Sequence, residues 1–180
     1  MDPDGRTYTI YTNGETKFID DGKDAHVVLN ANNERDKIEF DLTQGKILGL
    51  YPKEEGSTIN LLVMENMEVA IELYTIMAQN LMMLEFNLVA AHSGEKRFFY
   101  VGNSQASHST IVGDFVFQTL GQTIDVMQHF HPTNPKASER DKKRAAEVYR
   151  NYVRYPHANP NAQLSITFRN SHGEIDEDVY

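Results

Sequence analysis

The sequence contains no cysteine. That absence excludes a disulfide framework, a thiolate metal site and a thiol nucleophile, so any zinc would have to be held by histidine and carboxylate ligands. Positive charge is also scarce: 17 Lys and Arg stand against 26 Asp and Glu, a net charge of -9. This balance argues against a nucleic-acid partner, because phosphate contacts need clustered cations. The one basic run, Lys142-Lys143-Arg144, falls on an expected helix and reads as a solvated face. No apolar run approaches the roughly 20 residues needed to span a bilayer, and no signal-type segment opens the chain. Internal repeats and low-complexity linkers are missing too. What remains is an ordinary globular composition, 40% hydrophobic and 24% charged, in 180 residues, enough for one domain with a substantial core.

Periodicity and turn chemistry suggest the elements. Asp-Pro-Asp-Gly at the start and Asn13-Gly14 are turn signals around a short alternating strand at 7–12. Further strands are expected at 26–30 and 37–42, either side of the turn-prone Ala31-Asn32-Asn33, and a loop at 43–60 with Gly45, Gly49, Pro52 and Gly56. Val63, Met67, Ala70, Ile71, Tyr74 and Met77 give one apolar face to a helix over 62–80. The continuous apolar run 81–92 reads as a buried strand, pairing across Ser93-Gly94-Glu95 with a strand at 96–103. Residues 104–121 fit strand or loop equally. A strand at 123–131, a helix at 138–155, a strand at 163–170 and a turn at Gly173 into the acidic end complete the chain. Tyr149, Tyr152 and Tyr155 share one side of the 138–155 helix and read as packing; the methionines clustered around 64–83 read as adaptable core. The order of elements predicts an α/β (α+β) class, a mixed sheet flanked by helices. Residues 1–50 are expected to form a β-rich N-terminal segment and residues 51–180 the main domain.

The stretch MQHFHPTNPKASERDKK, residues 127–143, concentrates the chemistry. On a strand His129 and His131 point to the same side and Phe130 to the other, so two imidazoles can grip one cation from a rigid platform. A catalytic zinc takes three protein ligands and keeps a fourth position for water. Asp141, in the first turn of the next helix, is the candidate third ligand. The same residues also fit a bland reading, a strand ending in two histidines followed by a helix with Ser138 as its N-cap and Asp141 favoured by the dipole. The two readings are compatible, since a capped helix start would hold a ligand firmly.

His-x-His-Pro, a short loop and Ser-x-x-Asp in this order resemble the signature of the JAB/JAMM (MPN-like) zinc isopeptidases. The resemblance spans about residues 62–168 and implies a JAB/MPN-like fold with the layered architecture of cytidine deaminases. It implies one catalytic zinc bound by His129, His131 and Asp141, with Ser138 helping to hold the attacking water and the oxyanion. The family's general base is a glutamate at the start of the strand after the first long helix. LEFNLVAAHSG, residues 84–94, is similar to that segment and points to Glu85, which Glu65, Glu68 and Glu72 fit less well. A carboxylate within so apolar a run needs a partner in any case. Nine residues separate His131 from Asp141, one fewer than the family pattern has, with the Ser-x-x-Asp spacing intact.

The opening MDPDGRTYTIYTNGE is similar to the segment that closes the core of bacterial RHS-repeat proteins ahead of a variable C-terminal toxin. Joined to the first resemblance, it implies the toxin tip of a larger polymorphic toxin, secreted or delivered into a target cell. The expected partners are a protein or peptide substrate, ubiquitin-like proteins among them, and a cognate immunity protein. No nucleic acid and no membrane span are expected. Two competing readings are a non-catalytic MPN-like binding module and a nuclease toxin using histidines for acid-base work. The remaining histidines carry less signal and read as surface or satisfied polar residues, with a place near a substrate groove the lesser alternative for His108 and Ser109.

Overall fold

The computed structural model describes residues 5–23, 26–29, 35, 37–43, 45–51, 58–81, 84–105, 111–132 and 136–180. His108, Ser109, the turn at 31–33 and loop positions 133–135 lie outside the described residues. The chain forms strands β1 (Arg6–Ile10), β2 (Thr16–Asp20), β3 (His26–Leu29), β4 (Ile38–Asp41), β5 (Ile47–Leu50) and β6 (Asn60–Met64), then helix α1 (Met67–Asn80). Strands β7 (Phe86–Ser93) and β8 (Lys96–Asn103), helix α2 (Ile111–Asp114), strand β9 (Thr123–His131) and helix α3 (Glu139–Arg144) follow. The chain ends with β10 (Gln163–Arg169) and β11 (Ile175–Val179). Among the described residues two sheets result, one of four strands ordered β2-β1-β3-β4 and one of seven ordered β11-β10-β9-β7-β8-β6-β5. The larger is mixed: β9 and β10 are parallel and its other pairs antiparallel.

Alternation along the strands gives this sheet two apolar faces. Leu88, Phe86, Phe130 and Val101 pack with α1 through Leu73, Tyr74 and Met77. Their chain neighbours Val89 and Tyr100, with Met127 and Leu164, instead meet Val112, Val116, Phe117, Val148 and Tyr149 on the opposite side. The mixed sheet with helices on both faces is therefore present. The four-stranded sheet shares the α1 cluster through Tyr8, Ile10, Val27 and Leu29. Two buried asparagines join the sheets, Asn60 accepting from Thr16 N at 3.2 Å and Asn103 donating to the Gly14 carbonyl at 3.0 Å.

Several elements differ from expectation for local reasons. The helix starts five residues later than its apolar face suggests, because residues 60–64 are buried in β6 and Asn66 caps α1 by accepting from Val69 N at 3.0 Å. Residues 43–60 are not all loop, since they contain β5. The run at 81–92 becomes strand only from Phe86, leaving Leu84 and Glu85 ahead of it. The ambiguous 104–121 stretch contains α2, prolonged by a wide turn over Phe115–Thr119 that closes with Leu120 N on Phe115 O. A second wide turn, Ala145–Tyr149, ends the 138–155 helix early with Arg150 N on Ala145 O. That i→i+5 bond shifts the helical phase and splits the tyrosine face: Tyr149 is buried but Tyr152 is 62% exposed. The edge strands β2 and β11 carry mostly exposed residues, so no alternation announces them.

Asp114 ties the two helices of the second face together. Its Oδ1 accepts from Tyr149 Oη at 2.6 Å and from Arg144 Nε at 2.7 Å. Tyr149→Phe is expected to lower stability by about 1–2 kcal/mol, since it leaves a charged acceptor with one donor fewer. Chemical denaturation would show a lower midpoint at unchanged slope.

Candidate metal centre

Strand register assembles the site. β7 and β9 run antiparallel with Asn87 opposite His129, so continuing the register by two residues sets Glu85 against His131. Thus the start of β7 meets the end of β9. His129 is fully buried, His131 and Glu85 nearly so. Past Pro132 the chain returns in α3, whose first turn carries Asp141, 5% exposed.

Ser138 and Asp141 form a reciprocal helix cap. Asp141 N donates to Ser138 Oγ at 3.2 Å, and Asp141 Oδ2 accepts from Ser138 N at 2.8 Å and from Ser138 Oγ at 2.6 Å. The cap fixes the carboxylate and occupies Oδ2, leaving Oδ1 turned to His129 Nε2 at 3.6 Å. Burial opposes ionisation of this carboxyl, but the nearby His129 imidazole and the Ser138 hydrogen bonds outweigh it and hold the pKa well below the usual carboxylate range.

The two Nε2 atoms of His129 and His131 lie 2.9 Å apart, and His131 Nε2 is 3.6 Å from Asp141 Oδ2. One ligand atom from each of the three residues falls within 4.8 Å of the others. A tetrahedral zinc with bonds of 2.0–2.1 Å holds its ligand atoms roughly 3.3–3.4 Å apart, a value the separations of 2.9 and 3.6 Å bracket. The donor set, two imidazole nitrogens and one carboxylate oxygen, also matches what such an ion takes. Two carboxylates converging in so buried a place would otherwise be costly. The triad His129, His131 and Asp141 can therefore hold a metal ion.

Glu85 stands just outside this triad, its Oε1 3.9 Å from His131 Nε2. Of the other glutamates, Glu68 is exposed in the first turn of α1, and Glu65 and Glu72 are engaged elsewhere. Glu65 accepts from Lys46 N at 3.2 Å and Glu72 from Thr43 N at 2.9 Å, both beside the N-terminal half of α1. The remaining described histidines are distant in role. His92 Nδ1 bonds Asp125 at 2.8 Å and His26 Nδ1 bonds Asp41 at 2.7 Å. His157 lies against the Phe117 ring, and His172 is exposed in the last turn.

Two neighbours of the site were not singled out by sequence reasoning. The Tyr180 ring stands edge-on to His129 with centroids 6.3 Å apart, anchored by Arg150 Nη2 on its carbonyl at 2.8 Å. Burial raises its phenol pKa, and the Asp141 charge adds to the effect. Nothing in the sequence marks it, because the acidic tail gives no sign of pairing with β10. Asn87 is the second, and as a polar residue inside LEFNLVAA it did carry a signal. Comparison with protein-family models, curated proteins and solved structures finds no match to the chain.

Proposed function

We propose that the chain is a zinc-dependent hydrolase of peptide or isopeptide bonds with a JAMM-type site, acting as the toxin tip of an RHS-type polymorphic toxin. The observation that carries this reading is the buried convergence of His129, His131 and capped Asp141, with Glu85 beside them but outside the ligand set. Zinc bound there would supply Lewis acidity and bring the pKa of a water to about 7.

The chain's own residues divide the remaining work. Glu85 takes a proton from the attacking water and passes it to the leaving amine nitrogen as the amide C–N bond breaks. Water ends on the acyl carbon as a carboxylic acid, so neither covalent enzyme intermediate nor thiol is needed. Ser138 first fixes Asp141; its hydroxyl hydrogen points to Asp141 Oδ2, so helping the oxyanion requires that hydrogen to swing away by rotation about the Cβ–Oγ bond. The low exposure of the histidines keeps bulk water from the reacting atoms. The substrate side of the reading is a protein or peptide, and a toxin of this kind would be delivered by its parent protein and met by an immunity protein.

The test is cleavage of a complex peptide mixture, read by mass spectrometry. Zinc-loaded protein is expected to release new peptide ends, to stop when a chelator strips the metal, and to resume when zinc is returned. Protein carrying about one zinc per chain that cuts neither peptides nor isopeptide-linked ubiquitin-like conjugates would overturn the hydrolase reading.

A further inference from the structure

Asn87 sits between Phe86 and Leu88 in the apolar run of β7 and is 1% exposed. Neither its Oδ1 nor its Nδ2 has a hydrogen-bond partner. A buried amide left so is costly, and an apolar side chain of equal size would suit the strand better. A second orphan lies next to it. His129, also fully buried, has an Nδ1 without a partner.

These two residues are register partners across β7 and β9. Directly paired residues share a face, with Cβ atoms about 4.5–5.5 Å apart. On its other flank Asn87 is paired with Gly102 of β8, which offers no side chain and where a Cβ would run into the Asn60 carbonyl. In the sheet, then, the polar side chain paired with the Asn87 amide is the His129 imidazole.

His129 reaches the ligand cluster through Nε2. For that nitrogen to present its lone pair to a cation, the neutral ring must carry its proton on Nδ1. A ligand histidine ordinarily gives this proton to an outer acceptor. We infer that Asn87 is a positioning residue of the metal centre: the two orphaned groups, not bonded to each other in this structure, pair by a small side-chain adjustment, Asn87 Oδ1 accepting the Nδ1 hydrogen of His129 and so holding the tautomer whose Nε2 faces the metal. The inference rests on the metal-site reading above. It also assigns the proton in the 2.9 Å contact between the two Nε2 atoms to His131.

The test compares wild type, Asn87→Leu, which removes both polar atoms at similar volume, and Asn87→Asp, which keeps an acceptor oxygen. Long-range ¹H–¹⁵N spectra of the metal-free protein are expected to show His129 protonated at Nδ1 in wild type and a mixed tautomer in Asn87→Leu. Competition with a chromophoric zinc chelator should find zinc held about 10–100-fold more weakly by Asn87→Leu, with Asn87→Asp staying close to wild type. Unchanged tautomer and zinc affinity in Asn87→Leu overturn the inference. So does a wild-type His129 protonated at Nε2, which needs no variant to fold. Absence of zinc binding by wild type would instead remove the metal reading itself, while the tautomer spectra still report whether Asn87 holds His129.

Discussion

Glu85→Gln is expected to leave about one zinc bound per chain and to cut hydrolysis by about 10²–10⁴, the usual worth of a positioned general base. Glutamine keeps the size and much of the polarity of the side chain but cannot accept the proton of the attacking water. Glu85 lies just ahead of β7, apart from the strand that carries the histidines, and its Oε1 is 3.9 Å from His131 Nε2. Loss of the base and loss of the metal are therefore separable. Elemental analysis of the variant reports the second and peptide release reports the first. A Glu85→Gln protein that cuts at the wild-type rate would remove Glu85 from the chemistry. One that loses its zinc would move Glu85 into the ligand set instead.

Asp141→Ala is expected to abolish the stabilisation that zinc confers. A ligand present at a thousand times its dissociation constant stabilises the fold that binds it by about 4 kcal/mol, and the variant should gain none of it. The metal-free fold should survive, because Ser138 still caps the main-chain N–H of residue 141 and only the reciprocal half of the cap goes, a change of about 1 kcal/mol. Thermal unfolding of both proteins with and without zinc gives the comparison. An equal zinc-induced rise in the two would contradict the assignment of Asp141. Metal-free protein adds a check by pH. Because the Asp141 pKa is lowered from 3.8, its contribution is complete above that pH and is lost as pH falls below it. Asp141→Ala should flatten this acid limb.

Legibility tracked how local each signal was. Strands β8 and β9 match their expected bounds and β10 falls one residue short, since buried and half-buried runs of strand-forming residues between turn signals leave little choice. The helix boundaries were misplaced where an apolar pattern ran on past the true element. Leu62 and Val63 continue the face of α1 yet belong to β6, and the wide turn at 145–149 breaks a helix whose composition would have carried it further. Polar edge strands left no trace at all.

The site divides in the same way. His129 and His131 share a face because a strand alternates, and Ser138 and Asp141 share a cap because a helix starts there. Both facts are readable over a few residues. Glu85 was reachable only through a likeness to a family segment, for its closeness to His131 comes from the register of β7 on β9. Asn87 depends on the same register, and its oddity inside an apolar strand became meaningful once His129 was found opposite it. Tyr180 reaches the site through the pairing of β11 with β10, a contact between two segments with no shared pattern.

The central claim is that His129, His131 and Asp141 are metal ligands rather than the end of a strand and the start of a helix. Elemental analysis of purified protein, wild type beside His131→Ala, tests it most directly. The account predicts about one zinc per wild-type chain and almost none in the variant, with both proteins folded. Wild-type protein free of zinc after incubation with excess metal at neutral pH, or a variant that retains it, would contradict the account.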